Sequence, residues 1–504
     1  MRVLLVSHPP LTAELGAAQV ALQLAAALRA RGHDARAWSP EPLPPDTRAW
    51  NLWHRQTRAI ERYAREAGPF DAIDTPAISA SRSLARAGRL VVRSVQPELR
   101  YLGHAVARDA GRRPGPRALA RALVSGRQSA AILAGWSRAS VVLCLGSLEL
   151  AWMRRRFPFW RAKLAAYDCA PAPGESAALA EVRLQRLAGS ATTAAAARCG
   201  DACPDRADGA GGNASGGVRA PGEGGGLSGL SGLRGAGRID GAGGMGGPGG
   251  GVRFLWLGRW AAHKGTARLR RFLAARTVSR PADTFTLAGC GEAPARELPA
   301  EWLRAGRVRI VPRFTRAELP ALLAGHDAGL FTSDVEGWGL SLNEMLESGL
   351  PVYATAAGAV ADLLPYFPGA LRPFPPPPEG DVPPAPPADL AANGYEARFH
   401  WDAIAAAYER LALASPAAHG PMGRTAPAAP RPPTAPGRSS GPAAPSATSY
   451  ANRADHPATP AGPTAPAAPS VPAAPNQADG ANRATAPNGP NGPIAPSDAG
   501  RTTG

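Results

Sequence analysis

Lysine is nearly missing from this 504-residue chain: of 56 basic residues only Lys163 and Lys264 are lysine. Each therefore marks a place where a compact ammonium stands among arginines. Cysteine is scarce as well. Cys144, Cys169, Cys199, Cys203 and Cys290 are odd in number and widely spaced, which argues against a disulfide framework and for a reducing compartment. Cys199 and Cys203 form a C-x3-C pair with no histidine nearby, so a metal site is not expected there. No window reaches the roughly 20 apolar residues of a membrane span. The apolar run in "MRVLLVSHPP" is too short for a secretory signal. A soluble or peripheral, cytoplasmic protein is the expectation. No G-x-G-x-x-G follows the first strand-like run, which disfavours a dinucleotide cofactor. Zinc-finger spacing, aromatic RNA-binding signatures and a clear helix-turn-helix are also missing, so the net charge of +17 does not point to a specific nucleic acid partner.

What is present divides the chain. Residues 199–251 are dominated by glycine, and residues 414–504 by Pro, Ala, Ser, Thr, Gly and Asn. Neither stretch has the apolar content to offset the entropy of ordering it, so the first is expected to be a flexible linker and the second a disordered tail. Two domains of ordinary size remain, 1–198 and 252–413. Residues 1–170 hold 26 Arg and Lys against 12 Asp and Glu, a difference of +14. Such a surface is either simply solvated or drawn to an anionic membrane face or an acidic substrate. Within it, "WMRRRFPFWRAK" (152–163) mixes rings and cations in the manner of a headgroup interface. A helix end with core aromatics and exposed arginines explains the same stretch at least as well.

The apolar run "RVLLVS" (2–7) predicts a buried parallel strand, and "GAAQVALQLAAALRARG" (16–32) a helix stopped at Gly32. Further strands are expected at 33–39, 72–75, 90–95 and 140–146. The second segment repeats the alternation, with strands at 252–258, 284–289, 308–313 and 328–333 and helices at 266–276 and 317–326. Both domains thus read as α/β with parallel sheets. Ligands of such sheets bind beyond the carboxyl ends of the strands. That edge includes the loop at 8–18, Gln96 and Ser147 in the first domain.

In the second domain the same edge carries the chemistry. "FLWLGRWAAHKG" places Arg259 and Lys264 on one loop, a bidentate fork and a point charge suited to a diphosphate. In "SDVEGWGLSLNEMLESG" a glycine-flanked loop opens a helix near Leu340–Leu342, and free N–H groups at such a start attract anions. Glu336 stands in the loop and Glu344 in the first turns. Eight helical residues would cover about 12 Å, comparable to a nucleotide sugar from ribose to hexose. Ionised carboxylates only accept hydrogen bonds, which fits polyol recognition. Glu347, by contrast, reads as a mere partner of the helix dipole.

These segments resemble retaining glycosyltransferases of the GT-B fold, of the family 4 (group 1) type. "EGWGLSLNEMLESGLPVYAT" is similar to the family's E-x7-E segment, "FLWLGRWAAHKG" to its G-R-x4-K-G loop, "FTLAGCGE" to its G-x-G segment and "FHWDAIAAAYERL" (399–411) to its last helix. The resemblance covers about 252–411 and implies two Rossmann-like domains facing across a cleft. It implies that Arg259 and Lys264 hold the donor diphosphate and that Glu336 holds sugar hydroxyls. Glu344 would hold the ribose, and the backbone of Gly337, Trp338, Gly339 and Leu340 would lie near the phosphates. Gly289 and Gly291 would line the base or the phosphate edge, the backbone from Arg313 to Thr315 would contact the base, and Gly16 would open the facing loop. It further implies a sugar nucleotide as co-substrate, a glycan or lipid-linked acceptor, and no essential metal or other cofactor. Two positions depart from the family. The loop usually reads G-G-A-E or G-G-A-Q, and here it is "GAAQ" (16–19) with Ala17. Gln96 stands where a cleft histidine is usual, leaving His8 or His104 as other histidines near the cleft. These departures keep a non-catalytic sugar-nucleotide binder as the alternative.

Overall fold

The computed structural model describes residues 1–12, 14–43, 51–110, 115–200, 250–377 and 382–414. Nearly all of the expected linker (199–251) and tail (414–504) lies outside these residues, as does the pairing of Cys199 with Cys203. Among the described residues, twelve strands form two sheets of six. The first contains β1 (Arg2–Val6), β2 (Asp34–Trp38), β3 (Ala72–Thr75), β4 (Arg89–Arg93), β5 (Val141–Leu145) and β6 (Leu164–Tyr167) in the order β2-β1-β3-β4-β5-β6. The second contains β7 (Arg253–Leu257), β8 (Thr284–Ala288), β9 (Val308–Val311), β10 (Ala328–Phe331), β11 (Val352–Ala354) and β12 (Leu371–Pro373) in the order β12-β11-β10-β7-β8-β9. Every pairing is parallel. This is the two-domain Rossmann-like architecture that the sequence implies.

The central strands of each sheet are buried on both faces and are largely apolar: Val3, Leu4, Leu5 and Val6 have no exposed surface. Removing one such side chain from water contributes about 1.5–3 kcal/mol. The first helix spans Gly16–Ala30 and stops as its sequence demands. Gly32 takes φ 89°, its N–H donates to the Arg29 carbonyl at 3.0 Å, and His33 N–H donates to the Leu28 carbonyl at 3.0 Å.

Two helices cross the seam between the sheets in opposite senses. The helix Pro173–Gly200 follows β6 but packs against the helices Leu319–Ala324 and Leu340–Glu347 of the second sheet. The helix Trp401–Tyr408 follows the second sheet but packs on Gly16–Ala30 and β6 of the first. The expected second segment, 252–413, therefore closes on the first sheet rather than its own. Polar contacts fix this return. Arg31 reaches Asp402 at 2.8 Å and grips both oxygens of Glu409 at 2.9 Å, while the Trp401 indole donates to the Pro171 carbonyl at 2.9 Å. Deeper, the Tyr408 hydroxyl donates to Asp74 at 2.9 Å, and Arg93 faces the same carboxylate at 3.1 Å.

Asp74 and Arg93 are all but fully buried, and a buried ion left without its partner costs about 3–5 kcal/mol. Asp74→Asn is expected to lower unfolding free energy by about that amount, whereas Tyr408→Phe loses about 1 kcal/mol. Chemical denaturation measures both. A loss below about 1 kcal/mol for Asp74→Asn would show that this triad does not anchor the last helix.

Candidate functional site

In the second sheet, β7 and β10 are neighbours from which the chain winds outward in both directions. The loops after these two strands flank the topological switch point, where such sheets bind ligands. They are stitched together. Gly265 takes φ 71° and lies so close to β10 that a β-carbon would meet the Thr332 carbonyl at 1.8 Å. The Thr332 hydroxyl donates to the Lys264 carbonyl at 2.8 Å and receives the Trp256 indole N–H at 3.0 Å. The backbone N–H groups of Asp334 and Val335 donate to the His263 carbonyl at 2.8 and 3.2 Å.

Across this seam Lys264 Nζ lies 2.5 Å from Glu336 Oε2, which also accepts from the Ser333 hydroxyl at 2.9 Å. Burial pushes the Glu336 carboxyl up, but Lys264 and Ser333 outweigh it and hold it below the usual glutamate range. His263 is driven down to about 4 by burial and then by the charge of Lys264. The second lysine has a structural task. Lys163 donates to the carbonyls of Trp136, Ser137 and Ala139, capping the C-terminal end of the helix Pro116–Arg138.

The helix after Glu336 runs Leu340–Glu347, entered through Gly339 at φ 86°. The expectation placed only the backbone of Trp338 near the phosphates, and one reading of this motif, that of Glu347, needs correction. The Trp338 side chain is a core group: it is 4% exposed, donates to Asn343 Oδ1 at 2.7 Å and packs near Phe399, so only its backbone faces the loop. Glu347 ends the helix instead of opening it, and it accepts from the Tyr395 hydroxyl at 2.5 Å, which in turn accepts from Asn343 at 2.8 Å. Burial raises the Glu347 carboxyl from 4.5 to about 7. Periodicity could not distinguish these roles, because the partner Tyr395 is remote in sequence.

Glu344 is buried and meets Arg316 at 2.7 Å. Sequence reasoning missed Arg316 and its other partner, Glu175. A polar "RFTRAEL" loop carries no distinguishing signal by itself. Arg259 and Arg313 are exposed on their loops. Gly289 and Gly291 bring the loop after β8 against the loop after β9, with N–H donation to the Val311 and Pro312 carbonyls at 2.9 and 3.0 Å.

The carboxyl edge of the first sheet closes over this site. At Gly337 a β-carbon would lie 2.6 Å from the Val95 carbonyl oxygen and 3.3 Å from the Gln96 Cα, so the position substituted in the resemblance faces the Glu336 loop. A β-carbon on Gly16 would meet the Leu340 side chain at 3.5 Å. His104 lies 3.5 Å from Asp334, whereas His8 pairs with Ser79 at 2.9 Å on the first sheet. Ser147 is occupied by Asp362, which accepts from its N–H at 2.8 Å and its hydroxyl at 3.0 Å. Among the described residues no group of three or more His, Cys, Asp or Glu is arranged to hold a metal, and no helix is long and apolar enough to cross a membrane.

Part of the chain has a counterpart among known families. Residues 251–369 match the family model described as Glycosyl transferases group 1. No curated protein matches the chain. Among solved structures, the chain is similar to a sucrose-phosphate synthase from Thermosynechococcus elongatus at 16% identity and TM-score 0.47, covering 82% of this chain and 96% of that one. It is also similar to WaaG, a glycosyltransferase involved in lipopolysaccharide biosynthesis, at 15% identity and TM-score 0.45, covering 81% and 95%. A third is an α,α-trehalose 6-phosphate synthase from Burkholderia multivorans at 14% identity and TM-score 0.41, covering 83% and 90%.

Two measurements test the construction of this site. Gly337→Ala is expected to cost about 1–3 kcal/mol in denaturant unfolding, because the new methyl meets a backbone carbonyl; unchanged stability would mean the two edges are not in contact. For Glu347, the folded state holds a proton that the unfolded chain has released between about pH 4.5 and 7. Its contribution to stability is therefore greatest at low pH and is lost as pH rises through that window. Glu347→Gln should remove this component, on the order of 1–3 kcal/mol between pH 5 and 7.5. A wild-type-like slope in the variant would refute the assignment.

Proposed function

We propose that this protein is a retaining glycosyltransferase that moves a sugar from a nucleoside-diphosphate sugar to a glycan or lipid-linked acceptor, in the synthesis of a cell-surface polysaccharide or glycolipid. The observation that carries this reading is the Lys264–Glu336 pair at a switch-point cleft, within the segment that matches the group 1 family model. The pair is pre-formed and neutral as a unit. A sugar diphosphate suits both halves: its hydroxyls donate to Glu336, and its phosphates draw on Lys264, exposed Arg259 and the N–H groups that open the helix at Leu340. Glu344, eight residues on, takes the ribose hydroxyls. Gly289, Gly291 and the Arg313–Thr315 backbone border the base.

In the transfer, the bond from the anomeric carbon to the phosphate oxygen breaks and a bond to the acceptor hydroxyl oxygen forms, the hydroxyl proton leaving with the diphosphate. Negative charge grows on that diphosphate. Cations and helix N–H groups already aimed there stabilise it without reorganisation and without a metal cofactor. The acceptor enters over the first sheet. That domain presents the exposed cations Arg154, Arg155 and Arg156 and the exposed ring of Phe159, which supports peripheral contact with the anionic inner face of a cell membrane by a cytoplasmic enzyme.

Incubation with UDP-, GDP-, ADP- and dTDP-sugars, with release of the nucleoside diphosphate as readout, tests the reading. One donor should turn over, Glu336→Gln and Lys264→Met should each reduce turnover about 10²-fold or more, and NMR of the product should show the donor's anomeric configuration. If no donor in this panel is bound or consumed, the reading fails; an inverted product would overturn retention alone.

A further inference from the structure

A second polar chain reaches the site from the opposite sheet. Gln19 lies in the first helix and Glu175 in the first turn of the helix Pro173–Gly200. The Gln19 amide donates to Glu175 Oε2 at 2.6 Å, and the Ala172 N–H donates to the same oxygen at 3.1 Å. Arg316 grips Glu175 with both Nε and Nη2, at 2.6 and 2.8 Å, and extends Nη2 alone to Glu344 Oε1 at 2.7 Å.

We propose that Arg316, fixed by Glu175 and Gln19, is the positioning residue that aims Glu344 at the ribose of the nucleotide, so that the first half of the chain helps to build the donor site. The inference rests on the reading of Glu344 given above. The asymmetry of the contacts carries it. A guanidinium is a rigid fork, and one gripped along an edge can no longer turn. Glu175 supplies that grip. It is saturated with donors, and the start of its helix favours a carboxylate there. The remaining Nη2 proton then fixes one oxygen of Glu344.

Glu344 is 4% exposed, and burial raises its carboxyl above the usual glutamate range, with Arg316 as the strongest opposing influence. The charges facing it are Arg316, Glu175, Lys264 and Glu347, of which Arg316 is the one in contact. A carboxylate that remains ionised offers acceptors to two hydroxyls, whereas a protonated one becomes a donor.

Calorimetric binding to the full chain tests this. Whichever of UDP, GDP, ADP and dTDP binds most tightly is compared with its 3′-deoxy analogue. Wild type should favour the hydroxylated form, and Glu344→Gln should erode that preference about ten-fold or more. Arg316→Met and Glu175→Gln should erode it similarly, and combining either with Glu344→Gln should add little. Thermal melting controls for folding, and Glu175→Gln, which leaves the groups touching Glu344 in place, preserves the test if Arg316→Met does not fold. Full preference in both variants, with its loss in Glu344→Gln, overturns the role of Arg316 alone. Tighter nucleotide binding in Arg316→Met overturns it too, since Arg316 would then compete with the ligand. A wild type that binds none of the four, or a Glu344→Gln variant without effect, refutes the ribose reading beneath it.

Discussion

The two sheet edges meet backbone to backbone: the Val95 carbonyl, just beyond β4, abuts Gly337, just beyond β10. No side chain larger than hydrogen fits there. This contact brings the carboxyl edges of the two sheets together, and the rest of the site follows from it. Glu336 precedes the contact and turns to Lys264, while the helix carrying Glu344 follows it. Because parallel strands direct all their exits to one edge, bringing two such edges together gathers many loops around one small volume.

Electrostatics then divides that volume. On one side Lys264 and Glu336 form a pair in which the lysine overcomes the cost of burying the acid. On the other, Arg316 stands between Glu175 and Glu344. Both carboxylates of the E-x7-E segment are thus countered by cations from other loops, and the two cations lie in different turns of the second domain. A chain with so few lysines uses one of them where a compact charge fits between loops, and an arginine where a fork must serve two acids at once.

The reciprocal helices tie the two sheets together. Pro173–Gly200 leaves the first sheet to brace the site helix, and Trp401–Tyr408 returns to the first sheet through Arg31, Trp401 and Tyr408. Each domain is completed by a helix from the other segment, so the seam is held by packing and by the Tyr408 hydrogen bond to the buried Asp74 as well as by the cleft loops.

Nine of the twelve strands were legible in the sequence, since runs such as "RVLLVS" and "FLWLG" are buried on both faces and need no context to be recognised. The missed strands, β6, β11 and β12, have only three or four residues, and β12 ends in Pro373 at the edge of its sheet. At this length pairing depends on the neighbour more than on the segment's own pattern. The sequence by itself also determined the local chemistry of the site: glycines where the loops must turn, two acids one helix-start apart, and an Arg–Lys loop. Only the tertiary structure decided what each group faces. It turned Trp338 inward, gave Glu347 to Tyr395, gave Ser147 to Asp362 and brought Gln19 and Glu175 to Arg316. Strand and helix formation are governed by neighbours along the chain, whereas an ion pair such as Arg316–Glu175 joins residues 141 apart and exists only after the two sheets have met.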